Sequence, residues 1–367
     1  MSRIVVLIDH AENRRLLVEW LSVHHEVAIT DTPQKLDPTF DLCIVDGPAL
    51  ERHGRWIDEV KRALSPLFLP FLFVTSRRGV GMVSGPAWHR VDELLVSPVE
   101  KQELQARVDT LLRARELSLA NAALRQRLEL ELAHAREVQA GLLPRDAPYL
   151  PGFELAARCI PAREVSGDFF DWQAGDNCAV LSVGDVMGKG IPAALLAATA
   201  RAVLHALARQ NPPATALDIL QETLSGDLER TSSFVTLFHA HFDVGPHKVH
   251  YVDAGHGHAL VRRAGGTVER LVRGGRPVGF PVAAPYRESA VQLGAGDVLF
   301  VYSDGLLEGN VHPPEVLIEG LDMNAKASRI VEELIELAPG RETIDDVTVL
   351  VLKCIESAAP PASMAPA

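Results

Sequence analysis

The 367-residue sequence is short of the features that mark secreted and membrane proteins. Its four cysteines lie far apart and form no Cys-x-x-Cys pair, so neither a disulfide framework nor a zinc ribbon is expected. No apolar run reaches the length that spans a bilayer, and the N-terminus enters a strand pattern without a signal peptide. These absences predict a soluble cytoplasmic protein with free thiols and no membrane contact.

Positive charge is also scarce. Lysine and arginine number 36 against 48 acidic residues, which gives a formal net charge of −12. This balance disfavours a general nucleic-acid binder, and no basic helix-turn-helix is present that would make the chain a DNA-binding response regulator. The length predicts two domains with a connector between them.

One acidic turn organises the C-terminal half of the sequence. The apolar run 178–184 predicts a buried strand, and Asp185 follows where that strand ends. Gly188 and Gly190 allow a sharp bend or a close approach of the backbone to a ligand. Residues 191–209 then form an Ala/Leu-rich helix with proline in its first turn, which predicts a carboxylate held at the rim of a sheet.

Three more aspartates lie close to the ends of strand-like runs: Asp168, Asp304 and Asp345. Strand ends gathered at one edge of a sheet would bring these acids together, and clustered carboxylates repel one another. No lysine or arginine is adjacent to each of them in the sequence, and we expect Lys189 to be an exposed turn residue. A hard divalent cation relieves such repulsion, and an all-oxygen ligand set selects Mg²⁺ or Mn²⁺.

Seven ordered segments resemble the metal-dependent type 2C serine/threonine protein phosphatases, in the bacterial branch that regulates sigma factors during stress and sporulation. The segments are residues 137–144, 164–171, 184–194, 254–256, 275–279, 302–305 and 345–348. The similarity covers residues from roughly 130 to 355 and implies an α+β domain in a four-layer αββα sandwich.

The resemblance also implies a site with two Mn²⁺ or Mg²⁺ ions. Its metal ligands would be Asp168, Asp185, Asp304, Asp345 and the backbone carbonyl of Val186. Asp185 would bridge the ions, Asp168 would act through bound water, and the other two aspartates would hold the second ion. The ions would lower the pKa of a shared water, and the resulting hydroxide would attack phosphorus in line.

Two acids near these ligands, Asp171 and Asp346, are expected to support them from behind. The implied substrate is a phosphoserine or phosphothreonine protein, the anti-sigma-factor antagonist, and the implied function is regulated phosphatase activity in two-component-like signal transduction. The alternative is a catalytically silent scaffold that keeps the phosphatase fold and binds the antagonist. A scaffold need not keep every metal carboxylate, and this chain keeps all four.

The first 113 residues alternate strand and helix patterns, which predicts a parallel five-stranded sheet covered on both faces. The strands are predicted at residues 3–8, 26–30, 41–46, 68–75 and 93–96. The pattern resembles a response-regulator receiver domain.

In that resemblance Asp46 matches the phospho-accepting aspartate, Asp9 matches one member of the acidic pair that holds Mg²⁺, and Thr75 matches the hydroxyl near the phosphoryl group. The sequence departs from the receiver pattern because Asp9 has no acidic neighbour and Ser97 replaces the lysine expected before Pro98. Three interpretations stay open: slow phosphorylation by a sensor kinase, a pseudo-receiver that binds a partner or ligand, or a dimerisation module.

Residues 100–143 contain no proline and only one glycine, which predicts a single long helix. Its apolar positions approximate a coiled-coil seam formed by Leu117, Leu124, Leu128, Ala135, Val138 and Leu142. A parallel homodimer is expected, with a lone amphipathic helix as the alternative. The predicted domains are the degenerate receiver-like domain 1–113, the coiled-coil linker 114–145, the phosphatase domain 146–356 and a disordered tail 357–367.

Overall fold

A computed structural model describes residues 1–35, 39–77, 89–175, 177–272, 274–281, 284–308, 310, 312–338 and 345–355. The chain divides into two compact units, Met1–Leu130 and Glu131–Ala367. The disordered tail predicted at 357–367 lies outside the described residues.

The first unit contains a parallel sheet. Its elements are β1 (Arg3–Leu7), α1 (Ala11–Leu21), β2 (Glu26–Ile29), β3 (Leu42–Val45), α2 (Gly47–Leu64), β4 (Phe71–Ser76), β5 (Glu93–Ser97) and the start of α3 (Lys101–Leu142). The strands are all parallel in the order β2-β1-β3-β4-β5, so the predicted five-stranded parallel sheet is confirmed. This order is that of a doubly wound α/β sheet and fits a receiver-like fold.

Alternating side chains cover the two faces of this sheet. Val45 and Phe73 pack with Ile57 of α2 on one face, and Ile44 packs with Val108 of α3 on the other. Burial on both faces explains why these strands are nearly continuous apolar runs in the sequence.

The helix α3 confirms the long helix predicted at 100–143. Its first turns are anchored in the first unit, where Val108 is buried and Nη1 of Arg115 donates a hydrogen bond to the Phe68 carbonyl at 2.9 Å. Farther along, the seam residues Leu117 and Leu124 are 60% and 57% exposed. The coiled coil therefore stays a prediction.

The second unit contains two antiparallel sheets between two pairs of helices. Its elements are β6 (Phe153–Ile160), β7 (Asp168–Ala174), β8 (Cys178–Val186), α4 (Ile191–Leu207), α5 (Pro213–Arg230), β9 (Val235–Asp243), β10 (Lys248–Ala254), β11 (Ala259–Arg262), β12 (Val268–Arg270), β13 (Ser289–Gln292), β14 (Val298–Tyr302), α6 (Pro314–Glu319), α7 (Ala327–Glu336) and β15 (Val347–Cys354). One sheet has the order β13-β10-β9-β8-β7 and the other β12-β11-β14-β15-β6. None of the described helices is both long and apolar enough to cross a lipid bilayer.

Three apolar layers hold these elements together. One lies between the two sheets, one under α4 and α5, and one under α6 and α7. Strand β9 shows how the sequence builds two of them, because Phe238 and Phe242 face the opposite sheet whereas Val235 and Leu237 face the helices. The αββα order expected from the resemblance is thus present in the second unit.

We expect the substitution Gly184→Ala to destabilise the second unit. Gly184 pairs with Phe169 across β7 and β8, and a Cβ atom there would lie 2.5 Å from the Phe169 ring. Overpacking of this kind costs about 1–3 kcal/mol. Gly265→Ala is the control, because a Cβ at Gly265 meets nothing within 4 Å. Urea unfolding monitored by tryptophan fluorescence measures the effect. Equal urea midpoints for the two variants would contradict this packing.

Candidate metal centre

Two of the predicted acids face each other across neighbouring strands. Asp168 opens β7 and pairs in register with Asp185 of β8. The sequence suggested that Asp185 follows the end of its strand. The strand β8 instead continues to Val186, so Asp185 lies inside it. The strand β7 was not predicted from its mixed sequence, and its pairing with β8 fixes the relation between the two carboxylates.

The other two acids meet because β14 and β15 are antiparallel neighbours. The Ser303 N–H donates to the Thr348 carbonyl at 2.9 Å, and the Thr348 N–H donates to Ser303 Oγ at 2.8 Å. Asp304 directly follows the end of one strand, and Asp345 precedes the start of the other. These hydrogen bonds therefore hold the two acids at the same end of the sheet.

Asp346 connects the two sheets at this end. One oxygen of its carboxylate accepts a hydrogen bond from the Ala162 N–H and the other from the Gly167 N–H, both at 2.7 Å. Because Gly167 precedes Asp168, Asp346 supports the position of Asp168, as the sequence suggested. Gly305 lets these segments approach closely, since a Cβ there would lie 2.1 Å from the Asp346 carbonyl oxygen.

A cavity of about 410 Å³ collects the acids. Asp185, Asp304 and Asp345 line it, and Asp168 is buried beside it through its pairing with Asp185. The remaining lining residues include Val186, Met187, Lys189, Phe234, Thr236, His256 and His258. Thr236 and His258 were missed from the sequence. Thr236 pairs in register with Asp185 across β8 and β9, and a correct prediction of that strand pairing would have placed Thr236 at the site.

The convergence of acids disturbs their protonation. Burial, and then the charges of Asp304, Asp345 and Asp346, raise the pKa of Asp185 to about 7. Burial and the neighbouring charge of Asp185 raise the pKa of Asp168 well above its usual range. The cavity therefore concentrates negative charge, which is the electrostatic condition that attracts cations.

Lys189 contributes the positive charge that the sequence did not assign to the site. Its Nζ lies 2.8 Å from Asp345 Oδ2, and this hydrogen bond raises the pKa of Lys189. Lys189 is exposed in the turn after β8, as expected, and its side chain also reaches the aspartate that precedes β15. In the part of the chain that the structure describes, this lysine forms an ion pair with one of the four carboxylates.

The residues present fit divalent cations of the hard type. The acids offer only oxygen donors, and Oδ2 of Asp168 is buried with no hydrogen-bond partner among the described residues. In the described part of the chain, no three Asp, Glu, His or Cys side chains already surround one point as ligands would. The ion pair between Lys189 and Asp345 is a physical reason for this arrangement, because it directs one carboxylate toward a lysine of the same unit.

Asp171 was expected to support the ligands, and this expectation was wrong. Its carboxylate accepts a hydrogen bond from Arg201 at 2.9 Å and lies 2.6 Å from His205 Nδ1, so it joins β7 to α4. The reason is alternation along the strand, since Asp171 lies three residues from Asp168 and so points to the opposite face.

The first unit also brings its predicted residues together, around different chemistry. Asp46 and Thr75 line a cavity with Ser97. Asp46 caps α2 by accepting from the Ala49 N–H at 3.1 Å, and its other oxygen accepts from the Asp9 N–H at 2.8 Å.

The Asp9 carboxylate, in turn, is held by both arms of Arg52, with Nη1 3.0 Å from Oδ1. This role of Arg52 was not predicted from the sequence. It neutralises the acid that would bind Mg²⁺ in the receiver resemblance.

We expect the metal-free protein to lose stability as pH rises, because of Asp185. Its carboxyl has a pKa near 3.9 when unfolded and about 7 when folded, so the folded state retains a proton that the unfolded chain loses. Stability falls between these values and stays lower above them. In EDTA, the free energy of unfolding of Asp185→Asn should therefore rise relative to that of wild type, by a few kcal/mol between pH 5 and pH 8. Parallel pH profiles of the urea midpoints would rule this out.

Comparisons with known proteins connect this geometry to a chemistry. Residues 175–355 match the family described as Stage II sporulation protein E (SpoIIE). Protein IcfG of Synechocystis sp. is 25% identical over 261 residues, which make up 61% of this chain and 41% of IcfG. Phosphoserine phosphatase RsbU of Bacillus subtilis is 26% identical over 242 residues, which make up 63% of this chain and 72% of RsbU.

Solved structures share the fold. The RsbU and RsbW domains of Rv1364c from Mycobacterium tuberculosis align with a TM-score of 0.51 and 25% identity over 58% of this chain and 62% of theirs. The SiaA-PP2C domain of Pseudomonas aeruginosa aligns with a TM-score of 0.54 and 21% identity over 63% of this chain and 99% of that domain. The second unit therefore shares the fold of these phosphatase domains, and residues 175–355 carry the similarity to the SpoIIE family.

Proposed function

We propose that the protein is a regulated, metal-dependent protein phosphatase that hydrolyses phosphoserine or phosphothreonine. The observation that carries the proposal is the gathering of Asp185, Asp304 and Asp345 in one cavity, with Asp168 paired to Asp185. The SpoIIE match and the similarity to a phosphoserine phosphatase support the same chemistry.

In this proposal Asp168, Asp185, Asp304, Asp345 and the Val186 carbonyl hold two Mn²⁺ or Mg²⁺ ions. The ions, when bound, would supply a water of lowered pKa and positive charge near the phosphoryl oxygens. Asp185 faces Asp168 and shares the cavity lining with Asp304 and Asp345, and this position would suit a ligand of both ions. Lys189 would leave Asp345 when the cations bind and would then be available to a substrate phosphate.

We further propose that the substrate is a phosphorylated regulatory protein of the anti-sigma-factor antagonist class. Two of the similar proteins support this substrate class. One is phosphoserine phosphatase RsbU, and the other is a structure that contains RsbU and RsbW domains of a single protein. A silent scaffold that only binds the antagonist is the second candidate. The cytoplasm is the proposed location, and the four free cysteines suit its reducing conditions.

Loss of a cavity acid should abolish turnover. We expect Asp185→Asn and Asp304→Asn to lower Mn²⁺-dependent hydrolysis of a phosphoserine peptide more than about 100-fold, because ligand loss exceeds the cost of changing a residue behind a ligand. Asp227→Asn is the matched control, since Asp227 pairs with Arg230 on the surface of α5. The scaffold alternative predicts no hydrolysis by the wild-type protein, with or without Mn²⁺.

For the first unit we propose a pseudo-receiver that regulates the phosphatase without phosphorylation of Asp46. Both oxygens of Asp46 accept backbone hydrogen bonds, and Arg52 neutralises Asp9. Arg52 thus supplies in a fixed form the positive charge that Mg²⁺ would bring. A sensor kinase is then less suited as the upstream partner than a protein or ligand that binds this unit directly.

Acetyl phosphate with Mg²⁺ should therefore leave Asp46 unmodified. We expect intact-protein mass spectrometry to show no added phosphoryl group beyond the background of Asp46→Asn. A stoichiometric increase of one phosphoryl group in wild type, absent from that variant, would restore the phosphorylation interpretation.

We propose that α3 forms a parallel homodimer, within the arrangement of domains 1–113, 114–145 and 146–356. Support comes from the exposed leucines that recur along the helix, among them Leu124 and Leu128 at 57% and 49% exposure. We expect the double substitution Leu124→Lys and Leu128→Lys to halve the mass measured by light scattering. A control with Arg125→Lys and Glu129→Gln keeps the seam intact. A monomeric wild type would contradict the proposal.

A further inference from the structure

An apolar lip borders the acidic cavity of the second unit. It consists of Met187, Phe234 and Phe280, of which Met187 and Phe234 also line the cavity. The Met187 N–H donates to the Phe234 carbonyl at 2.9 Å, and the rings of Phe234 and Phe280 contact each other edge to face at 5.3 Å. Met187 and Phe280 are each 41% exposed. Two of these apolar residues thus line the cavity beside the acids, and the third extends the lip through its ring contact with Phe234.

The backbone holds this lip in place. Val278 pairs with Val235 as an isolated bridge, which fixes the segment before Phe280 against β9. Gly279 then turns with a φ of +98°, and its N–H donates to Gln221 Oε1 at 2.8 Å. A Cβ at Gly279 would lie 2.9 Å from Leu228, so the turn is packed against α5. The packed turn at Gly279 therefore holds Phe280 in a partly exposed position.

We propose that the lip binds an apolar side chain that lies one or two residues from the phosphorylated serine or threonine of a protein substrate; this rests on the proposed phosphatase function. The distance from the acids to the lip supports this spacing in the substrate. Met187 follows Asp185 by two residues, which corresponds to about 7 Å in an extended chain. A substrate in extended conformation spans the same distance between a phosphorylated residue and a side chain two positions away.

Charge selects the same partner. Glu308, which is not one of the proposed metal ligands, adds negative charge near Lys189 of the cavity lining. An acidic residue beside the phosphorylated one would be repelled here, whereas an apolar residue would cover the lip and lose contact with water. The preferred sequence is therefore apolar and free of acids immediately around the phosphorylated residue.

The test compares phosphoserine peptides that differ at one position, two residues from the phosphoserine, where they carry Leu, Ala or Glu. With Mn²⁺, wild type should show a kcat/KM for the Leu peptide about tenfold above that for the Ala peptide, the value expected for burying one leucine side chain. In Phe280→Ser the ratio of Leu to Ala peptide should fall toward one, and in Phe280→Leu it should recover. Val316→Ser is the control, since Val316 is 46% exposed on α6 and lies outside the cavity lining.

The outcomes separate the two proposals. Equal turnover of the Leu and Ala peptides by wild type, or an unchanged ratio in Phe280→Ser, would overturn the lip as a binding surface while phosphatase activity stands. A preference for the Glu peptide would overturn it as well. Failure of wild type to hydrolyse any peptide or p-nitrophenyl phosphate with Mn²⁺ would instead overturn the phosphatase function itself.

Discussion

The second unit depends on one unfavourable interaction, the mutual repulsion of carboxylates that its two sheets bring to the same end. Asp168 and Asp185 meet across β7 and β8, while Asp304 and Asp345 arrive from β14 and β15. Hydrophobic burial along the strands fixes these positions, so the acids cannot separate without disrupting the layers beneath them. Stability spent on holding like charges together is typical of functional sites.

The contrast between the two units shows what a neutralised acidic site looks like. In the first unit, Asp9 has Arg52, and Asp46 serves as a helix cap with both oxygens occupied. In the second unit, Lys189 reaches one carboxylate, and the pKa of Asp185 stays raised to about 7. The first arrangement is internally satisfied, whereas the second keeps carboxylates of raised pKa, for which we propose divalent cations as the partners.

Much of this could be predicted from the sequence. The predicted strands 26–30 and 93–96 appear as β2 and β5 with limits within one residue, and the proline-free stretch gives the long helix α3. Asp185, Asp304 and Asp345 were found because each lies beside a strongly apolar run. The strand β7 was missed because Asp168 and Asp171 interrupt its apolar pattern, and only its pairing with β8 makes it a strand.

Side-chain partners from distant elements were beyond reach. Arg52 meets Asp9 across 43 positions, and Asp346 meets Gly167 across 179, and nothing in either local sequence encodes these encounters. The role of Asp171 was mistaken for the same reason, since its partners Arg201 and His205 become visible only once α4 lies on the sheet.

The central claim is that the gathered carboxylates exist to hold cations, and calorimetric titration with Mn²⁺ tests it most directly. Titrations near pH 7 in buffers of different ionisation enthalpy report both the ions bound and the protons released. The account predicts two ions per chain and a release of protons that diminishes as pH rises from 6 to 8, because the pKa of Asp185 is about 7. Absence of binding, or binding that releases no protons at any of these pH values, would contradict it.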